Sequence, residues 1–174
     1  MAIRISNFPP IVGIDPRILI LGSAPGGESL RQGKYYAHPR NLFWRLMAEC
    51  LDIPRSDAPY KERVNALKNE GIALWDVYAE ADRDRNGKAS SLDSDIRNGN
   101  FSDIAALLED KPTIGKVLLN GKKAEKAFVK YRKATNSQKL EAVAFRYLPS
   151  TSPANARMSF EEKKREWAAA LTLS

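Results

Sequence analysis

Cysteine and histidine are almost absent from this chain of 174 residues, which contains one of each, Cys50 and His38. One cysteine excludes an intrachain disulfide and a cysteine-held iron–sulfur cluster, and one histidine besides argues against a Cys/His zinc site. No apolar run reaches the roughly 20 residues of a membrane span. The N-terminus also lacks the apolar stretch of a signal peptide. We therefore expect a soluble, cytoplasmic protein without a bound metal.

The composition is otherwise that of a globular protein, with 43% hydrophobic and 28% charged residues. Its length is typical of one domain, and we expect residues 1–174 to form one. The net charge of +7 is uneven, because residues 111–174 carry 14 Lys and Arg against 5 Asp and Glu. This basic third indicates either a polyanion-binding surface or merely a solvated face, and charge alone does not decide between them.

Apolar strands alternate with amphipathic helices along the chain, which predicts an α/β fold with a mostly parallel sheet covered on both faces. In such a sheet, ligands bind beyond the carboxyl ends of the strands. The stretch Glu80–Asn100 is interpreted as a long polar loop, and loops of this length are usually functional or mobile. The four predicted strands are 17–21, 72–78, 115–121 and 142–148.

Three segments that follow predicted strands each allow two interpretations. "GSAPGG" (22–27) is either a tight strand-to-helix turn or a phosphate loop, although it lacks the Lys-Ser/Thr of a nucleoside-triphosphate site. Asn120 belongs either to an Asn-Gly turn or to a ligand crevice, where its amide would match the edge of a nucleobase. "LPSTSPANAR" (148–157) is either a plain polar loop or a rigid loop that approaches a phosphate backbone.

A fourth segment, "YYAHPRNLFW" (35–44), combines four aromatic residues with the only histidine. Taken in order, "GSAPG", "YYAHPRNLFW", "ALWDV", "SLDSDI", "NGKKA" and "LPSTSPA" resemble the motifs of the uracil-DNA glycosylase superfamily. They are most similar to its hypoxanthine (deoxyinosine) DNA glycosylase branch, and the resemblance extends from about Phe8 to Trp167. It implies a three-layer α/β/α fold with a central four-stranded, mostly parallel sheet.

The resemblance also implies an activity and a partner. The protein would be a monofunctional DNA glycosylase that turns a deaminated base, preferably hypoxanthine, out of double-stranded DNA and hydrolyses its N-glycosidic bond. It would need no cofactor and would act as a monomer.

The resemblance further assigns roles to particular residues. Asn41 would position the attacking water, and Tyr36 would stack on the extruded base, while Phe43 and Trp44 would belong to the core. The other residues expected to contact the base are Gly22, Ser23, Ala24, Pro25, His38 and Asn120. The residues expected to contact the DNA backbone are Lys122, Lys123, Ser150, Thr151, Ser152, Asn155 and Arg157.

Two departures from the family pattern leave alternatives open. Ala24 stands where many members have an Asp or Asn that positions water. The segment 148–157, called the Pro-Ser loop below, lacks the histidine of the strongest uracil enzymes. Some relatives have a histidine where this chain has Asn155. The alternatives are a mismatch-specific uracil-DNA glycosylase, a DNA-binding relative with weak or no catalysis, and a nucleotide-binding α/β protein that uses "GSAPGG".

Overall fold

The computed structural model describes residues 3–83 and 96–172. In chain order the strands are β1 (Ile3–Ser6), β2 (Ile18–Gly22), β3 (Ile72–Asp76), β4 (Tyr78–Arg83), β5 (Ile96–Phe101), β6 (Lys116–Asn120) and β7 (Ala144–Leu148). The helices are α1 (Gly27–Gln32), α2 (Phe43–Cys50), α3 (Tyr60–Asn69), α4 (Ile104–Asp110), α5 (Lys122–Ala134), α6 (Gln138–Ala142) and α7 (Phe160–Ala170).

The centre of the fold is a four-stranded sheet in the order β3-β2-β6-β7, and all three neighbouring pairs are parallel. The predicted α/β fold is therefore confirmed, and each of the four predicted strands forms within two residues of its expected limits. Strand β2 lies between β3 and β6. The next strand of this sheet along the chain, β3, is therefore on one side of β2, and the one after it, β6, is on the other side. Such a reversal opens a crevice at the carboxyl end of the sheet.

Helices cover both faces of this sheet because alternate residues of its strands are apolar on each side. In β2, Ile18 and Ile20 pack into one cluster, and Leu19 and Leu21 pack into the other. All four side chains are at most 1% exposed, which is why β2 reads as an uninterrupted apolar run. The first cluster includes residues of α2, α3 and α7, and the second includes residues of α4, α5 and α6.

A second sheet, antiparallel and in the order β1-β4-β5, was not predicted. Its strands β4 and β5 occupy both ends of the stretch that we interpreted as a loop, so that interpretation was wrong for 80–83 and 96–100. Strand β4 is rich in charge, and Arg4 of β1 forms ion pairs with its Glu80 and Asp82. Because β4 contains so many charged residues, a search of the sequence for apolar runs does not detect it. Residues 91–95 of the "SLDSDI" motif lie outside the described residues.

Sequence signals typical of helix ends lie at the ends of two helices. Ser159 and Glu162 form a reciprocal capping box at the start of α7. Helix α3 ends just before Gly71, whose φ of 74° suits a glycine after a helix. The short helices α1 and α6 were not predicted, since five or six residues carry too little periodicity. None of the described helices combines the length and the apolarity that a membrane span requires.

Candidate active site

A cavity of about 70 Å³ opens at the carboxyl end of the parallel sheet. It lies where β2 is flanked by β3 and β6, and it is lined by the last residues of these three strands and by the segments that follow β2 and β7. The structure thus brings together residues that are up to 145 positions apart in the chain, from Phe8 to Pro153. The residues proposed for the base and the water that line it are Gly22, Ser23, Ala24, Pro25, Tyr36, His38, Asn41 and Asn120.

The turn after β2 forms the floor of the cavity and is a strand-to-helix turn, as one of the two interpretations predicted. A side chain cannot be added to Gly22 without contact, because a Cβ there would lie 2.6 Å from Asp76 Oδ1 and 3.2 Å from Tyr36 Oη. Among the described residues, the backbone N–H groups of Ala24 and Gly26 have no acceptor. They are therefore available as donors to a ligand.

Asp76 is a cavity residue to which sequence reasoning gave no role. It ends β3, lines the cavity and is only 4% exposed. The signal was present in "ALWDV", where an acidic residue directly follows a buried apolar run. Asp76 thus occupies on β3 the strand-end position that Asn120 occupies on β6. A carboxyl group can accept hydrogen bonds whether or not it is ionised, so Asp76 adds an acceptor to the cavity.

Tyr36 forms one wall of the cavity in a strained conformation. Its φ of 53° makes it the one non-glycine residue with a positive φ in the described part of the chain. Such a conformation costs on the order of 1–3 kcal/mol and persists only where the surroundings hold it. Here the ring stacks on Phe43, with ring centroids 4.1 Å apart and planes at 21°. Phe43 is fully buried, so the predicted core role of this residue is confirmed.

Tyr35 and Trp44 face the core beneath this wall. Both are 4% exposed, and Trp44 Nε1 donates a hydrogen bond to the Tyr35 carbonyl. Burial raises the pKa of the Tyr35 hydroxyl, which stays protonated and donates to the Pro9 carbonyl at 3.0 Å. The aromatic segment is therefore divided, because Phe43, Trp44 and most of the Tyr35 ring are buried, whereas Tyr36 is partly exposed at the cavity wall.

His38 and Asn41 are oriented by bonds within their own turn. The Arg40 N–H donates to His38 Nδ1 at 3.1 Å, so the neutral imidazole carries its hydrogen on Nε2. Asn41 Oδ1 accepts from the Phe43 N–H at 3.0 Å, which fixes the amide at the start of α2. That bond leaves Asn41 with its Nδ2 hydrogens and a second lone pair on Oδ1.

Thr151 connects the Pro-Ser loop to Asn120 at the end of β6 and to Leu42 before α2. Its N–H donates to Asn120 Oδ1, and its Oγ1 accepts from Asn120 Nδ2, each at 3.0 Å. Its carbonyl accepts from the Leu42 N–H at 2.9 Å. Thr151 is fully buried, so its side chain orients Asn120 and lies too deep to meet a phosphate. The Asn120 amide keeps one hydrogen and one lone pair for a ligand.

The Pro-Ser loop after β7 is tied down along its length. Ser150 Oγ accepts from the Ser152 N–H at 3.1 Å, and Asn155 Nδ2 donates to the Ser150 carbonyl at 3.3 Å. A Cβ on Gly121, whose φ is 94°, would lie 2.8 Å from Ser150 Cβ, so this loop packs directly on the turn after β6. Ser150, Thr151 and Ser152 line the cavity, whereas Asn155 does not.

Helix α7 supports the same loop from behind. Lys163, which is 1% exposed, donates from Nζ to the Asn155 carbonyl at 2.6 Å. Trp167 Nε1 donates to the Pro149 carbonyl at 3.0 Å. Lys163 therefore contributes to the net charge calculated from the sequence but not to the positive charge of the protein surface.

The basic residues expected to contact DNA lie outside the cavity. Lys122 and Arg157 are exposed, and Lys123 is partly buried. Lys122 begins a row of exposed lysines along α5, and its other members are Lys126, Lys130 and Lys133. Several other basic residues of the last third are engaged within the protein, such as Arg146, which forms an ion pair with Glu166.

Glu28 is the second carboxylate of the cavity lining. Hydrogen bonds from Arg31 and Gln32 lower its pKa to about 2. Glu28 is therefore ionised at neutral pH and carries no proton that it could give to a leaving base. Residues 3–83 and 96–172 contain no cluster of three or more His, Cys, Asp or Glu side chains that could hold a metal ion.

Comparison with known proteins places these features in a family. A model of the uracil DNA glycosylase superfamily matches residues 9–172. A protein from Methanosarcina barkeri named hypoxanthine DNA glycosylase is 35% identical over 164 residues, which cover 94% of this chain and 96% of that protein. Its namesake from Methanosarcina acetivorans is 34% identical over 163 residues, covering 94% and 95%.

The fold has a counterpart among solved structures. A solution NMR structure of a protein from Methanosarcina acetivorans, described as a candidate uracil DNA glycosylase, superposes with a TM-score of 0.78. The two sequences are 32% identical, and the match covers 97% of each chain.

Proposed function

The chain belongs to the uracil-DNA glycosylase superfamily, and on that premise we propose that it repairs double-stranded DNA by removing a deaminated base, preferably hypoxanthine. It turns the damaged nucleotide out of the helix and hydrolyses the N-glycosidic bond, which leaves an abasic site. The observation that carries this proposal is the cavity at the carboxyl end of the sheet, where the strand-end residues and Asn41 converge. The choice of hypoxanthine draws on the relatives of that name.

Base recognition is proposed to use Asn120 and Asp76 together. Hypoxanthine presents a carbonyl beside a ring N–H, which calls for one donor and one acceptor. The remaining Nδ2 hydrogen of Asn120 supplies the donor, and the Asp76 carboxylate supplies an acceptor. Adenine presents the reverse order, so its ring nitrogen would meet an acceptor and be left without a partner. Mismatches of this kind discriminate by several kcal/mol.

Hydrolysis is proposed to depend on placing a water molecule and stabilising a departing base. The water oxygen bonds to the sugar C1′, the bond from C1′ to the base nitrogen breaks with its electron pair on the base, and the proton lost by the water passes through solvent to the departed base. Asn41 orients the water, which suffices because the oxocarbenium-like sugar is strongly electrophilic. The Asn120 amide and the N–H groups of Ala24 and Gly26 stabilise the charge that develops on the base.

The activity is tested with duplexes that carry one hypoxanthine, uracil or xanthine. The protein is incubated with each duplex, and abasic sites are then cleaved and counted. We expect cleavage at hypoxanthine and none in a duplex of normal bases, where guanine is the critical control because it shares the edge of hypoxanthine. If no damaged base is released, the chain is a DNA-binding relative without catalysis. Release of uracil alone would place it with the mismatch-specific uracil enzymes.

The DNA backbone is proposed to contact the start of α5. Affinity should fall steeply with salt, and Lys122→Ala or Lys123→Ala should each lower the slope of log K against log salt by up to about one unit. Lys133→Ala is the control, since this exposed lysine stands at the far end of the same helix. The slopes are measured by duplex titration at several salt concentrations. Unchanged slopes in both variants would show that these lysines face away from DNA.

A further inference from the structure

A second cavity, of about 480 Å³, lies on the other side of the segment 35–41. Tyr35, Tyr36, His38 and Asn41 line both cavities, so this segment is their common wall. The opposite side of the second cavity is formed by α3 and by the turn before it. A nucleotide whose base enters the first cavity therefore brings its flanking backbone close to the second.

Two cations project into this second cavity without a carboxylate partner. Lys34 Nζ lies 5.7 Å from the ring centroid of Tyr60, and the Arg63 guanidinium carbon lies 5.5 Å from the same centroid. Arg63 Nε donates to the Ala58 carbonyl at 2.9 Å, and its two terminal nitrogens have no acceptor among residues 3–83 and 96–172. Neither cation forms an ion pair with a carboxylate of that described part.

The positive charge of this arrangement is not neutralised by a carboxylate among the described residues. Lys34 and Arg63 each lie near the Tyr60 ring, which attracts cations but carries no negative charge of its own. Burial lowers the pKa of Arg63, a sign that its charge is poorly solvated. The cavity contains one acidic side chain, Asp57, and its carboxylate pairs with Arg55 at 3.5 Å instead.

The chemistry of the cavity favours a phosphate over a second base. The Arg63 guanidinium lies 4.7 Å from the ring centroid of Trp44 and thus occupies the aromatic surface on which a base would stack. What the cavity offers is a pair of terminal guanidinium nitrogens and an ammonium group. A planar guanidinium and a mobile ammonium together suit the oxygens of a phosphodiester.

We propose that Lys34 and Arg63 form a binding site for a backbone phosphate on the DNA strand that carries the extruded nucleotide. This inference rests on the proposed function, since it presumes that DNA is the ligand of the first cavity. The site belongs to residues 1–110, which carry 14 Lys and Arg against 16 Asp and Glu. Net charge along the sequence therefore gives no hint of it, and DNA is held on both sides of the base cavity.

The test combines protein variants with single neutral linkages in the DNA. Affinity is measured for a hypoxanthine duplex and for duplexes in which one phosphate near the lesion is replaced by an uncharged methylphosphonate. Lys34→Gln and Arg63→Gln should each weaken binding to the ordinary duplex by about tenfold. When the uncharged linkage is at one or two particular positions, the affinity of each variant for that duplex should be within about twofold of the affinity of the parent protein. This loss of additivity identifies the phosphate.

Three controls make the result decisive. Lys61→Gln removes an exposed cation of α3 that does not line the cavity, and it should leave affinity unchanged. Arg63→Lys keeps a cation and should recover part of the affinity, while the melting temperature reports any loss of packing on Trp44. If both Gln variants bind as the parent does, or if their losses add to that of every neutral linkage, the site does not exist. Base release by the parent is measured separately, so failure of the glycosylase proposal is recognised on its own.

Discussion

Asn41→Ala is expected to lower the single-turnover rate of base release by at least about a hundredfold, the usual scale for losing a positioning or charge-stabilising group. Duplex affinity should change little. The reason is that Ala24, at the position where many family members handle water, has no polar side chain. Asn41 lines the cavity, and after it accepts the bond from the Phe43 N–H it still has its amide hydrogens and one oxygen lone pair to hold a water molecule.

The same variant also removes the acceptor for the Phe43 N–H at the start of α2, which costs roughly 1 kcal/mol of stability. Asn41→Ser separates the two effects, because its shorter hydroxyl can still accept that bond but cannot reach as far into the cavity. It should melt close to the parent and still release base slowly. A rate for Asn41→Ala within a few-fold of the parent would mean that another group holds the water.

Gly22→Ala is expected to slow base release by at least about tenfold. The added Cβ would lie 2.6 Å from Asp76 Oδ1 and 3.2 Å from Tyr36 Oη, so one or both groups must move. If the shift of Asp76 or Tyr36 weakens binding of the transition state by about 1.4 kcal/mol, the rate falls tenfold. The measurement is the single-turnover rate, with the melting temperature as the check on folding.

Gly115→Ala is the matched control, because a Cβ there meets nothing within 4 Å and its φ lies outside the left-handed region. It should release base at the parental rate. The double variant Gly22→Ala/Asp76→Ala tests the cause, since Ala at 76 has no carboxylate to collide with. The two substitutions should then cost less together than the sum of their separate effects. Parental activity in Gly22→Ala would show that the turn after β2 is not part of the site.

Strands β2, β3 and β6 of the parallel sheet could be predicted because nearly all of their residues are buried. In β2, Ile18 to Leu21 are apolar for that reason, and the residues after the strand then had to lie at the carboxyl end of the sheet. The charged strand β4 could not be found in the same way. Its stability comes from pairing with β1 and β5, which a local pattern does not contain.

Most of the residues that line the cavity could be predicted from the motifs, but the hydrogen bonds between them could not. The resemblance placed Asn120 and Thr151 at the site, but it assigned Thr151 to DNA, whereas the structure bonds its side chain to Asn120. The cluster around Arg63 was missed, since it joins Lys34, Trp44 and Tyr60 from three segments. Such contacts form only in the folded chain, and no regular residue spacing in the sequence indicates them.

Substrate choice follows from the two departures from the family pattern. Ala24 removes a polar side chain from the cavity floor and adds room for a larger base. The Pro-Ser loop contains Ser150, Thr151 and Ser152 but no histidine that could support a small pyrimidine anion. A purine needs less support because it spreads its charge over two rings. Both departures therefore favour hypoxanthine over uracil.

The most direct test of this account is the ratio of single-turnover rates on two duplexes of the same sequence, one with hypoxanthine and one with uracil at the target position. Enzyme in excess over DNA makes the ratio independent of product release. The account predicts faster release of hypoxanthine. Faster release of uracil would contradict it and would place the protein with the mismatch-specific uracil enzymes of the superfamily.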